Sequence, residues 1–406
     1  MAYDHKIDTW CYWMLLILAF FSNLSTGVSS VAVAIVALLI LYSGIKLKKW
    51  PEFDPEILRI FGVYFFLQIV IAALSLNPSV SLRSVAGEIH RCFPLFFAMY
   101  FIKREHQVKG ILLAFMFASI VSAICGFYQY FIMGAPRVYA FSHTPTFYAS
   151  LLLMQFPVLW LTSTLDFMPK WSRIAAFVMG AVAVLMLILT GTRGAWLAFL
   201  VELAFIACFY KRWRVLAAKG MLVLLALMAV LFSTVPVLQA RIETMANPNF
   251  QSNSERLLMW KSASEIVADY PIHGIGQDVF GFEYNTKYIA PEAKERSEPG
   301  KPETGHTHPH NNLLKVTSEG GILGFCSFLL LHGYFFRRFW KLQRQEQKYM
   351  MISYGMTAVL VALGLQLEGI TDTNMNQVPI MREYWLLVGM LLIAGRVTGY
   401  KQHHGN

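Results

Sequence analysis

Apolar runs of roughly 20 residues recur along the whole chain, separated by short polar connections, and each is long enough to cross the hydrocarbon of a bilayer. Hydropathy and turn signals place twelve such runs. Their approximate limits are 8–24, 27–45, 57–76, 85–102, 108–133, 145–164, 172–190, 194–210, 216–236, 313–336, 349–369 and 378–396. The pattern predicts an all-α polytopic membrane protein of about 12 transmembrane helices with one large, partly helical loop. The chain then divides into 1–237, carrying helices one to nine; 238–312, the long polar loop; and 313–406, carrying the last three helices and a short tail. The run after Lys6 is read as an uncleaved first helix, because a second run follows almost at once.

Lys and Arg orient the chain. One set of connections holds Lys46, Lys48 and Lys49; Lys103 and Arg104; Lys170 and Arg173; Lys211, Arg212 and Arg214; and Arg337, Arg338, Lys341 and Arg344. These belong in the cytoplasm, together with both termini. The loop at 238–312 is then extracytoplasmic. No internal repeat is visible, which weighs against a secondary transporter.

The loop has a pattern of its own. Ser254 is a candidate N-cap with Glu255 in the first turn. Leu257, Leu258, Trp260, Ala263, Ile266 and Val267 give a helix with an apolar face, ending before Pro271. His273-Gly274-Ile275-Gly276 reads as a tight turn; no strand precedes it and no third glycine follows, so it is not a dinucleotide fingerprint. Residues 290–305 are charged and rich in Pro and Gly, and are expected to be a mobile flap.

Composition sharpens this picture. The chain is 56% hydrophobic and 14% charged, against about 25% charged in soluble domains. The net charge of +10 would suit nucleic acid, but the basic residues sit in short loops on one side, and no nucleic-acid partner is expected. Cys11, Cys92, Cys125, Cys208 and Cys326 lie in or beside apolar runs and form neither a disulfide framework nor a zinc motif.

Ionisable residues in or near membrane spans are functional candidates. Arg193 stands in the turn Thr190-Gly191-Thr192-Arg193-Gly194, Arg256 on the loop helix, and Arg137 before span six. Arg83, Glu88, His90 and Arg91 lie around span four, and Asp372 before span twelve. Arginines on the outer face suit a diphosphate, which a planar guanidinium grips bidentately; interfacial anchoring and a buried ion-pair network are the plainer readings. Glu202, deep in span eight, is expected to pair with another polar group. His306, His308 and His310 alternate, so an extended strand would put all three on one side. They could bind a metal, stay solvated and inert, or leave His310 alone as a general base. At the start of span ten a helix N-terminus disfavours imidazolium and keeps the ring neutral. Gly320, Gly321 and Gly324 further along permit close helix packing.

Together these residues resemble the O-antigen ligase family, within the wider group that includes O-antigen polymerases and protein O-oligosaccharyltransferases. His310-Asn311, nine residues, Gly321, two residues and Gly324 match its His-(Asn/Ser/Gln) pattern, and Arg193 to Leu197 matches its Arg-three-Leu element. The resemblance covers essentially the whole chain and implies a GT-C-like outline. It implies transfer of a glycan from an undecaprenyl-diphosphate-linked donor to a sugar hydroxyl of lipid A-core, with inversion and without metal or cofactor. The site would face the periplasm, in a multi-pass protein of the bacterial inner membrane in contact with membrane lipids. His310 would be the base, and Arg193 and Arg256 would bind the diphosphate, with Arg137 beside them. Asn311, Asp372, His308 and Arg91 would support them. A polymerase or a protein O-oligosaccharyltransferase of the same group are the alternatives; a lipid or polysaccharide transporter is the non-enzyme one.

Overall fold

The computed structural model describes residues 2–235, 239–240, 243–244, 247, 249–346 and 352–399. The expected junctions near 236–238 and 349–351, and the end of the tail, lie outside the described residues. Helices stand at all twelve expected places. They are α1 (Ala2–Phe21), α2 (Thr26–Lys46), α3 (Pro55–Ala73), α4 (Pro78–Phe101), α5 (Glu105–Phe127) and α6 (Pro145–Thr164). Then come α7 (Lys170–Leu189), α8 (Arg193–Phe209) and α9 (Arg214–Thr234). The long loop contributes α10 (Gln251–Asp269) and the single turn α11 (Phe280–Glu283). The last three are α12 (Asn312–Glu346), α13 (Tyr354–Glu368) and α14 (Val378–Val397). Among the described residues eight helices are long and apolar enough to cross a membrane. Of the other four, α8 and α13 are shorter, at 17 and 15 residues, while α1 and α4 carry several charged residues. The protein is an all-α, multi-pass membrane protein.

The helix starts are written in the sequence. Asp54-Pro55, Asn77-Pro78 and Thr144-Pro145 each put an oxygen-bearing cap before a proline at the first helical position. The side chain accepts an amide that would otherwise be unpaired, and proline has no amide there to lose. Between these caps the apolar faces pack around Phe61, Phe335 and Trp385, whose rings meet in pairs at 5.2 to 5.9 Å. Apolar side chains on the outer surfaces, such as Phe66 and Phe177, face away from the bundle, as lipid-facing residues do.

Short turns reverse the chain, so every second connection falls at the same end of the bundle. At one end, Leu76 N donates to Ile275 O (3.0 Å), Ser84 Oγ to Asp278 (2.7 Å) and Asn312 N to Gly369 O (2.7 Å). These bonds knit the 74–77, 271–278 and 369–377 segments into one cap. The long loop has its own small core of Met259, Ala263, Ile266, Ile275, Val279, Phe280, Tyr284 and Tyr288.

Three expectations about the loop and α12 change. Helix α10 begins at Gln251 after Phe250, so Ser254 is not its cap; its hydroxyl donates back to Gln251 O at 3.0 Å. The buried face is Glu255, Met259, Ser262, Ala263 and Ile266, with Leu257 exposed. Residues 290–305 are held in place: Glu255 accepts the amides of Lys294 (2.7 Å) and Glu295 (3.3 Å), and Arg296 donates to Ala290 O and Pro291 O, each at 2.8 Å. Composition marked this stretch as mobile because a buried carboxylate 40 residues away is invisible in a local window.

The third change is larger. Gly321 has φ 56° and ψ −152°, so α12 is two helical pieces rather than one continuous span. The 271–276 turn inserts at the break. Ile275 N donates to Ser318 O (3.1 Å) and Gly276 N to Glu319 O (2.8 Å), while Ile322 N and Leu323 N donate to Pro271 O (2.9 Å) and Ile272 O (3.1 Å). Four backbone groups freed by the break find partners in that turn, as burial demands. A Cβ at Gly321 would lie 2.5 Å from the Ile272 carbonyl, in a backbone region that is essentially glycine's alone. Gly321→Ala is therefore expected to destabilise the fold by more than about 3 kcal/mol, combining backbone strain with that clash. Thermal unfolding in detergent checks it; an unchanged midpoint would mean the break is not required.

Candidate active site

His310 is set between two anchors. On one side, Trp260 Nε1 of α10 donates to Pro309 O at 3.0 Å. On the other, Asn311 caps α12, its Oδ1 accepting Leu314 N (3.0 Å) while its Nδ2 donates to Ile370 O (2.9 Å). Asn311 N donates to Thr373 Oγ1 at 3.2 Å. Held so, His310 takes φ 50°, an uncommon left-handed conformation for a side-chain-bearing residue. That turn aims its Nδ1 at Asp372 Oδ1, 2.8 Å away.

The Asp372 side chain is 3% exposed and that of His310 28%. Burial alone would raise the Asp372 carboxyl. Hydrogen bonds from His310, Thr146 and the Thr373 amide outweigh it and hold the carboxyl well below the usual range. An ionised Asp372 requires the proton of a neutral His310 ring to sit on Nδ1, which leaves Nε2 as an acceptor. His308 stacks edge-on against His310 with ring centroids 4.4 Å apart. Burial pushes the His308 ring down to about 3, so it stays neutral and adds no charge beside the base. His306 lies on the far side, its Nε2 3.1 Å from Glu295, and burial holds it below its ordinary value despite that carboxylate.

No acidic residue adjoins His310 along the chain; the fold brings Asp372, one of the expected supporting residues, onto its ring. The ligand atoms of His308, His310 and Asp372 all lie within 4.8 Å of one another. Two imidazoles and a carboxylate are donors that zinc or iron accept, so these three residues could hold a metal; His306 is not among them.

Two of the three arginines are associated with α10. Arg193 is the first residue of α8, and its Nη2 donates to Asn253 Oδ1 on α10 at 2.7 Å. Arg256 lies one turn along α10 from Asn253, on the same face, half-buried, and acts electrostatically on Glu368 at the end of α13. Arg137 braces the turn that carries Arg193: its Nε donates to Thr190 O (2.7 Å) and its Nη2 to Thr192 Oγ1 (3.2 Å). Arg91 stands apart from His310, lining a cavity with Tyr64, Glu88 and Lys315.

Several residues escaped sequence reasoning. Glu368 is fully buried, and its Oε2 accepts Ser150 Oγ (2.8 Å) and Asn374 Nδ2 (2.6 Å). It stands four positions before Asp372 at the end of an apolar run, a signal that was there to read. Lys315 Nζ lies 2.7 Å from both Glu319 oxygens and 3.0 Å from Asp278. A Lys and a Glu four apart in an otherwise apolar stretch pointed to that pair. In span four, Glu88 accepts Tyr64 Oη at 2.5 Å and His90 faces Arg382 at 3.2 Å. Glu202 packs against Gly364 and Leu153, and its Oε1 has no hydrogen-bond partner among the described residues.

Residues 175–329 match the family model described as O-antigen ligase. The matched stretch runs from within α7, through the long loop, into α12, and so contains Arg193, Arg256 and His310; Glu368 and Asp372 lie beyond it. No curated protein matches the chain.

Proposed function

We propose, from the match of residues 175–329 to the O-antigen ligase family, that the chain transfers a glycan from undecaprenyl diphosphate to a sugar hydroxyl of lipid A-core, with His310 as general base. The observation that carries this reading is the 2.8 Å bond between His310 Nδ1 and the buried Asp372. It orients the ring and fixes the tautomer that can take a proton at Nε2.

In the proposed step the acceptor hydroxyl gives its proton to His310 Nε2 as its oxygen bonds to the anomeric carbon. The bond from that carbon to the diphosphate oxygen breaks, and undecaprenyl diphosphate leaves with the electron pair. A single displacement inverts the anomeric centre. The diphosphate is already a good leaving group, so the site needs fixed cations for the charge that develops. Arg193 and Arg256 supply them, and Arg137 holds the Arg193 turn. Neither a metal nor another cofactor is assigned a step. The site would open to the periplasm from a protein of the bacterial inner membrane, since the short connections at its end of the bundle are poorer in Lys and Arg than those at the other end.

Gel analysis of lipopolysaccharide from a deletion strain tests the reading. The expected result is loss of every capped band with accumulation of lipid-linked polymer. A ladder collapsed to a single repeat would instead make the protein a polymerase, and an unchanged ladder would remove both.

A further inference from the structure

A second polar cavity lies on another side of α12 from the arginines. It is walled by α3, α4, the 277–278 turn, the first turns of α12 and the 375–376 segment, and has a volume of about 70 Å³, several times what one water needs. Among the described residues three that line it each carry a buried polar atom with no hydrogen-bond partner: Arg91 Nε, Gln277 Oε1 and Asn312 Oδ1.

The amide orientations are fixed by their neighbours. Ser327 Oγ donates to Gly324 O (2.7 Å) and accepts Gln68 Nε2 (2.8 Å), so Gln68 Oε1 must accept Gln277 Nε2, which leaves Gln277 Oε1 without a partner. Glu368 accepts Asn374 Nδ2 (2.6 Å), so Asn374 Oδ1 accepts Asn312 Nδ2 (2.8 Å), which leaves Asn312 Oδ1 over. A buried polar group without a partner is costly. One donor and two acceptors among the lining residues are matched by hydroxyl groups, which both donate and accept. Lys315 is shared between Glu319 and Asp278, and Glu88 and Arg91 line the same wall.

The cavity is also tied to the reacting centre. The segment between α13 and α14 carries Asp372 on His310, Asn374 on Asn312, and Asn376, whose Nδ2 donates to Asp278 at 2.9 Å. Neither α8 nor α10, which carry Arg193 and Arg256, contributes to the wall.

We propose that this cavity is the subsite for a sugar of the acceptor, holding a ring through Arg91, Gln277 and Asn312 while a neighbouring hydroxyl meets His310. The assignment rests on the transfer reading above. The test uses the full-length protein in nanodiscs, with a polyprenyl-diphosphate-linked glycan as donor and lipid A-core from the deletion strain as acceptor. In Gln277→Met and in Arg91→Gln the acceptor KM rises tenfold or more, while donor KM and the rate at saturating acceptor hold. An acceptor KM within twofold of wild type, as expected if only water fills the cavity, overturns the proposal, as does a rise in donor KM instead. A photoactivatable leucine analogue at Val316, on the same wall, gives a second readout if either variant fails to fold. Crosslinking to lipid A-core supports the subsite, and crosslinking to donor alone or to neither overturns it. Absence of transfer by the wild-type protein would instead count against the function itself, separately from the subsite.

Discussion

Transfer stops in His310→Ala while donor binding persists. Positioned general bases contribute about 10²–10⁴-fold, and alanine leaves nothing at Nε2's place to take the proton. The arginines that would hold the diphosphate come from α8 and α10, so donor affinity in the purified variant stays within a few-fold of wild type. The pH dependence adds a second readout. Asp372 is held below the ordinary carboxylate range, so its bond to His310 is present above that range and is lost only as pH falls well into acid. A fall in wild-type rate on mild acidification is therefore not caused by loss of that bond. His306→Ala, at a ring engaged with Glu295, costs far less. Inactivation by chelator with recovery on adding zinc would replace the base by a metal held on His308, His310 and Asp372.

Asp372→Asn lowers the turnover rate by about 10²–10⁴-fold, as removal of a carboxylate orienter does in comparable dyads, and leaves donor KM unchanged. Oδ1 accepts both His310 Nδ1 and the Thr373 amide, so the carbonyl oxygen of asparagine in that place keeps both bonds and the size. What it removes is the negative charge that stabilises the imidazolium formed when the ring takes the acceptor's proton. Because Asp372 is buried and bonded to the chain around it, thermal unfolding must be followed alongside. A variant with normal turnover would show that His310 needs no carboxylate, and one that only loses stability would assign Asp372 a structural role.

Much of this protein was legible along the chain. Apolar period and length gave the twelve helices, because in a bilayer a helix is the way for an apolar stretch to satisfy its own backbone. Asp54-Pro55, Asn77-Pro78 and Thr144-Pro145 marked where three of them begin, since capping is a matter of adjacent residues. His310 beside a helix start and Arg193 in its glycine turn were singled out for the same reason, as local chemistry in a local setting.

The tertiary structure decided what depends on distant partners. Asp372 meets His310 across 62 positions, and Asn374 and Asn376 fall on Asn312 and Asp278 through the same segment. No periodicity encodes such pairings. Gly321 looked like a packing residue because a helix window cannot show the 271–276 turn that enters its break. Residues 290–305 looked mobile because the Glu255 carboxylate that accepts their amides lies on another element. Sequence alone determined which segments are helical and which residues are chemically able. Tertiary contact determined which of them share a site, because hydrogen bonds and burial join groups by distance in space, which a linear pattern does not record.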